Sequence, residues 1–257
     1  MSSNKKISIV SFEGLDNTFK ETNAHLFADV LKDIFAFEVD GLYFQSFPRY
    51  NSKYSFLIKS KLDKENIDFD KSIFKRKDVV KTGFLIDRLT YWNENILPRT
   101  DEYKGTIVTR LDLLRSNKCT FVFDRYNFSN IIYSNTVNEL SVNKNLKKWL
   151  TEERELYGIP SPDVMICMYP SNYKSYMELL ESKKCKDSNE DNKTFITTVY
   201  ESYKYLLTER LDFLKKYYCK NIIVVDIFDK NGKIRSIEEI FSNIMREVFY
   251  TKIKEEK

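Results

Sequence analysis

The chain has 257 residues, a length that suits one α/β domain over 1–257 with a core that needs no covalent staples. Lysines and arginines number 42 against 38 aspartates and glutamates, and the net charge of +4 is too small and too dispersed to mark a nucleic-acid or membrane partner. A single histidine, His25, argues against histidine triads and di-histidine metal sites, whereas chemistry that works by positioning and electrostatics stays open.

The first apolar run, ISIVSF (7–12), is short and β-branched, as in a strand buried on both faces. It leads into EGLDNTFKET (13–22), where Gly14 and Lys20 keep the spacing of G-x-x-x-x-G-K-[ST] while Phe19 and Glu21 replace the second glycine and the hydroxyl residue. Ala24, Phe27, Val30, Leu31 and Ile34 then share one face of a helix starting near Lys20. Strand, glycine turn and helix follow the order of a phosphate loop, although an ordinary strand-to-helix turn reads the same way. A working cradle needs converging N–H groups, a lysine and usually a hydroxyl; Thr22 is the nearest hydroxyl after Lys20.

A second strand falls within 37–46 and ends at SFPRY (46–50), which places Phe47, Arg49 and Tyr50 in a turn. The spacing predicts a helix over 73–96, on which Phe84 and Arg88 stand at i and i+4, a ring and a guanidinium projecting together. TFVFD (120–124) is the third apolar run, and FDRYNFSNIIYS (123–134) follows at its carboxyl end, where α/β folds bind ligands. Arg125 has the fork that grips phosphate oxygens, or else it forms a strand-end ion pair with Asp124; Asn130 and Tyr133 share a helix face.

Helices over 128–139 and 145–156, a strand at VMICMY (164–169), helices over 172–183 and 191–216, a strand at IIVVDIF (222–228) and a helix over 235–250 complete the pattern. Five strands alternating with helices read as a doubly wound parallel α/β fold. KKCKDSNEDNK (183–193) is polar, and it reads either as a solvated loop or as a mobile lid. Cys119, Cys167, Cys185 and Cys219 are widely spaced, which predicts free thiols in a reducing compartment. With no signal-peptide h-region and no run of about 18 apolar residues, the expectation is a cytoplasmic protein.

The ordered motifs EGLDxxxK, FPRY, F-x-x-DR, DRYxxSNxxY, WL with PSPD, and D-x-x-x-F-x-x-x-V-x-x-x-Y resemble the thymidylate kinase family, from residue 7 to about 248. The resemblance implies a P-loop NTPase-type sheet of five parallel strands with a short lid at about 181–193. It implies transfer of the ATP γ-phosphoryl group to dTMP, with dUMP open, with Mg2+ as cofactor, and homodimeric assembly. On this sequence Phe47, Arg49 and Tyr50 would line the acceptor site, Phe84 would stack on the pyrimidine and Arg88 would bond to its O4. Arg125 would hold the acceptor phosphate, Asn130 would reach the base edge and Tyr133 would crowd the sugar 2′ position. Asp16 would meet the 3′-hydroxyl or a magnesium-linked water, with Asp124 the second carboxylate beside the metal. Gly14, Asn17, Thr18, Lys20, Glu21 and Thr22 would surround ATP, joined from the lid by Lys183 and Lys184; Lys20, Asp16 and Arg125 form the expected catalytic set. The family usually carries an arginine on the loop or lid where this chain has Asn17, Thr18 and Phe19, or Lys183, Lys184 and Lys186. A homologue that binds dTMP or dUMP but uses ATP poorly is therefore the alternative.

Overall fold

In the computed structural model of the protein, the described residues are 9–35, 41–52, 77–96, 99–100, 107–108, 119–134, 143–183 and 192–255. Five strands form one parallel sheet: β1 (Ile9–Gly14), β2 (Gly41–Ser46), β5 (Cys119–Asp124), β6 (Val164–Tyr169) and β7 (Asn221–Asp226), in the order β2-β5-β1-β6-β7. β1 and β6 are buried at every position, whereas the edge strands β2 and β7 are partly open. That gradient is the reason the central runs read as unbroken apolar stretches. β1 runs on through Glu13 and Gly14, beyond the apolar run, because these residues stay in register with Cys167 and Met168 of β6.

Alternation along β1 and β5 splits the core between two faces. Val10, Phe12 and Val122 join one cluster with Phe27 of α1 (Lys20–Phe35) and Ile131 of α3 (Asn127–Ser134). Ile9, Phe121 and Phe123 join an aromatic cluster with Phe47 and with Tyr91 and Trp92 of α2 (Lys77–Ile96). Burying large rings on both faces contributes roughly 1.5–3 kcal/mol per side chain before chain entropy is counted. α4 (Asn143–Tyr157) packs against α3, and α5 (Tyr173–Glu181) and α6 (Lys193–Thr208) begin at Asn172 and Asn192, whose side chains accept from Ser175 N and Phe195 N.

Two features depart from the periodicity. The helix expected over 191–216 is two, α6 and α7 (Leu211–Tyr217), broken at Glu209–Arg210; the break redirects the chain so that Leu206, Leu207 and Leu214 all reach the core. A small antiparallel pair, β3 (Arg99–Thr100) with β4 (Ile107–Val108), lies outside the main sheet and is too short to leave a period in the sequence. α8 (Ile237–Glu255) closes the chain and packs on β7 and α1. Among the described residues no helix is long and apolar enough to cross a membrane, and Cys119, Cys167 and Cys219 are free thiols.

Candidate active site at the carboxyl ends of the strands

The chain leaves β1 through Gly14 at φ +139°, where a Cβ would stand 2.2 Å from the Met168 carbonyl oxygen of the neighbouring strand. Only glycine allows this approach. The loop then turns through Asn17 (φ +58°) and Phe19 (φ +61°). Phe19 thus takes the left-handed conformation that the missing glycine would have supplied, at a cost of about 1–2 kcal/mol. Its carbonyl accepts from Asn23 N at 3.0 Å and Asn23 Nδ2 at 2.9 Å, which fixes the first turn of α1, and its ring packs against the core. Thr18 Oγ1 and Lys20 Nζ both donate to the Leu15 carbonyl, at 2.8 and 2.5 Å. Lys20 is buried, and burial, reinforced by the Arg125 charge, pulls its ammonium down to about 8. Glu21 and Thr22, the two positions expected to meet magnesium or phosphate, are exposed on the first turn of α1.

Beside β1, Asp124 ends β5 opposite Phe12. Arg125 follows at φ +60°, and its N–H donates to the Phe12 carbonyl at 2.8 Å. A non-glycine residue in this conformation at the end of a central strand is a mark of a functional position. The Arg125 guanidinium pairs with Asp16 Oδ1 and lies over the Tyr133 ring, 5.2 Å from its centroid, while Tyr133 donates to Asp16 Oδ2 at 2.8 Å. Burial pushes the Asp16 carboxyl up, but Arg125, Lys20, the Tyr133 hydroxyl and Lys183 together hold it below the usual range. Lys183, exposed just beyond α5, is therefore electrostatically part of the site. A small cleft opens beside the Asp16–Tyr133 pair, walled by Tyr176 and Leu180 of α5 and Phe195 and Ile196 of α6.

Of the remaining expected residues, the two arginines are held by carboxylates. Phe47 is buried edge-on to Tyr91, and the Phe47–Pro48 peptide is cis. Arg49 donates through its backbone N–H and Nε to Asp87, at 2.7 and 2.9 Å, and through Nη1 to Glu94. Tyr50 is exposed and Phe84 half-buried. Arg88 is 1% exposed and forms a two-pronged pair with Glu153. Asn130 is buried, its Oδ1 accepting from Ser134 Oγ at 3.1 Å. Asp16, Arg125 and Tyr133 are thus in contact, whereas Arg49 and Arg88, expected at the acceptor phosphate and the base, have partners of their own. Lys184 and most of the expected lid, 184–191, lie outside the described residues.

Two carboxylates were not expected at all. Glu13 is fully buried below the loop; its Oε2 accepts from the N–H and hydroxyl of Ser129, while Oε1 has no partner. Burial raises its carboxyl to about 7, against the lowering effect of Ser129. The one signal available was an acidic residue ending an apolar strand just before a glycine. Glu153 carried no signal, since it sits in the charged run TEERE.

Among the described residues no group of three or more histidine, cysteine or acidic side chains surrounds a point where a metal would bind. Magnesium at phosphate sites needs only one or two carboxylates, the rest coming from phosphates and water. Asp124 fits that part, with a buried Oδ1 that has no hydrogen-bond partner. Asp16 already gives one acceptor site of each oxygen to Arg125 and Tyr133.

No family model matches the sequence, and no curated protein does. Among solved structures, thymidylate kinase from Candida albicans is similar over 96% of this chain and 93% of its own, at 16% identity and a TM-score of 0.61. Thymidylate kinase from Ehrlichia chaffeensis is similar over 94% and 98%, at 15% identity and a TM-score of 0.56. The parallel sheet, its strand order and these likenesses establish that the chain has the P-loop α/β fold of the thymidylate kinases.

Proposed function

We propose that the protein is a deoxypyrimidine nucleoside monophosphate kinase that moves the γ-phosphoryl group of ATP onto dTMP or dUMP. The observation that supports it best is the meeting of the loop and the strand-end arginine at one carboxylate: Asp16 is paired with Arg125 and lies within the field of Lys20. Lys20 is the donor-side cation and Arg125 the acceptor-side cation. A phosphate oxygen of the monophosphate attacks the γ-phosphorus in line, the bond to the β-phosphate oxygen breaks, and ADP leaves; no covalent enzyme species is needed.

Lys20 has to exchange the Leu15 carbonyl for a phosphate oxygen, whose negative charge would favour its ammonium form. Arg125 has to keep Asp16 while its remaining N–H groups reach the acceptor phosphate. Tyr133, locked on Asp16, stands where the sugar would lie. Asp124, through its unpartnered oxygen, is the side chain that would hold magnesium, whose charge would offset that of the donor phosphates. A second reading, binding of the monophosphate with poor use of ATP, draws on the bond from Lys20 to its own loop and on the exposed Glu21 at the hydroxyl position.

Purified protein with ATP, magnesium and dTMP or dUMP is expected to form diphosphate. If none forms while dTMP still stabilises the protein, the binding reading replaces the kinase. Lys20→Ala is expected to lower turnover by about a hundredfold or more and to leave dTMP affinity nearly intact; equal loss of both would contradict this division of the site. The homodimer implied by the resemblance is checked by sedimentation, where a monomer at every concentration would remove it.

A further inference from the structure

Arg49 lies in the turn after β2, and that turn is tied to the active-site end of the sheet: the Phe47 N–H donates to the Asp124 carbonyl at 2.9 Å, one residue before Arg125. The Arg49 guanidinium is seated on one face of α2, where Asp87, Tyr91 and Glu94 stand at i, i+4 and i+7. It lies over the Tyr91 ring, 5.4 Å from the centroid. Asp87 takes the Arg49 backbone N–H at 2.7 Å, Nε at 2.9 Å and, through its own carbonyl, Nη2 at 3.0 Å. Glu94 Oε2 takes Nη1 at 2.6 Å.

The two carboxylates hold Arg49 on different terms. The Asp87 side chain is 1% exposed and grips backbone and guanidinium together, so it is an anchor. The Glu94 side chain is 54% exposed and stands in the last turn of α2, where the helix dipole disfavours a carboxylate and no basic residue of that turn offsets it. An ion pair that open is worth little and is readily exchanged. One guanidinium shared between two carboxylates belongs to a group of net negative charge, which repels phosphate. Asp87 already engages Nε and Nη2, so a two-pronged grip on a phosphate needs Nη1, the nitrogen that Glu94 occupies.

Resting on the monophosphate kinase reading above, we propose that Glu94 competes with the acceptor phosphate for Nη1 of Arg49. The phosphate displaces the Glu94 carboxylate into solvent, while Asp87 and the Tyr91 ring keep the guanidinium aimed. Glu94 thereby weakens binding of the monophosphate and takes no part in binding ATP.

Steady-state kinetics and calorimetry on the full chain test it. Glu94→Gln removes the competing charge at an exposed position, and it is expected to lower the KM and Kd of dTMP and dUMP by about two- to fivefold with kcat and the KM for ATP unchanged. Thymidine, which carries the same base and sugar without the phosphate, is expected to bind both forms alike. Asn93 is the exposed neighbour of Glu94 and faces a different direction on the helix. Glu94→Gln combined with Asn93→Glu therefore keeps the charge at the end of α2 but takes it off Arg49, and it is expected to retain the gain in dTMP affinity. If Glu94→Gln leaves dTMP affinity unchanged or weakens it, Glu94 is a brace for Arg49 and the proposal falls. It falls as well if thymidine gains equally, or if the charge-preserving pair returns dTMP affinity to the wild-type value, which would assign the effect to the general field. If the wild type binds dTMP without phosphorylating it, the same comparison of Kd values decides. If the wild type neither binds nor phosphorylates dTMP or dUMP, the functional reading fails first and takes this inference with it.

Discussion

Phe19 stands at φ +61° in the phosphate loop, so its backbone and its ring pull in opposite directions. Replacing it with glycine relieves strain of about 1–2 kcal/mol but removes a ring that contributes a similar or larger amount by packing on the core. Alanine removes the ring and keeps the strain. Phe19→Gly is therefore expected to be more stable than Phe19→Ala by about 1 kcal/mol, the reverse of the order in an ordinary helix; urea unfolding that ranks alanine higher would refute the left-handed assignment. Glu13 yields a pH dependence. Its carboxyl titrates at about 7 in the folded chain against 4.5 as the ordinary value, so the folded state holds a proton that the unfolded state has released. This contribution is complete below pH 4.5 and is lost as pH rises through 7, an effect on the order of 3 kcal/mol. Glu13→Gln is expected to flatten the fall in stability between pH 5 and 7.5, read from denaturant midpoints; an unchanged slope would mean that Glu13 is ionised throughout. Lys20 was marked out in advance by its spacing from Gly14, Arg125 by its place at the end of an apolar run, and Asp16 by the family resemblance. Their mutual contacts were not, because Asp16 and Arg125 are 109 residues apart and meet only through strand pairing.

The strands carry the loop, and the closeness of β1 to β6 sets what the loop can contain. Gly14→Ala would drive a Cβ to 2.2 Å from the Met168 carbonyl oxygen of β6 in a conformation that alanine resists. A destabilisation of about 3 kcal/mol or more is expected, measured by thermal and urea unfolding; a loss below about 1 kcal/mol would show that the strands can part there. Apolar runs located β5, β6 and β7 to within a residue or two, because burial on both faces leaves a continuous signal. The break between α6 and α7 left none. Its sequence, LLTERLDFL, has a helical period throughout, and only the need to bring Leu214 as well as Leu206 to the core divides it. Asn172 and Asn192, whose side chains cap α5 and α6, are of a residue type that favours that position.

For the molecule as a whole, the proposed donor and acceptor sites both lie at the carboxyl end of one sheet, and each ligand is expected to resist global unfolding separately. At about 100 times its dissociation constant, dTMP would add about 2.7 kcal/mol of stability and raise the melting temperature by about 5–10 °C for a chain of this size. ADP added with dTMP is expected to raise it further by nearly the sum of the separate shifts. A failure of dTMP to move the transition at any concentration would argue against the acceptor site. What the sequence by itself determined was the fold class, the five strands, the loop with its missing glycine and the chemical types at each strand end. Those properties are local: they depend on period, on backbone preference and on neighbours within a helical turn. The partners of the charges were decided by the tertiary structure alone. Asp87 holds Arg49, Glu153 holds Arg88, Asp16 holds Arg125 and Ser129 holds Glu13, each across 38 to 116 residues. No periodicity encodes such pairs, because a buried charge finds whichever opposite group the packed elements deliver to it, and that choice exists only once the sheet and its helices are assembled.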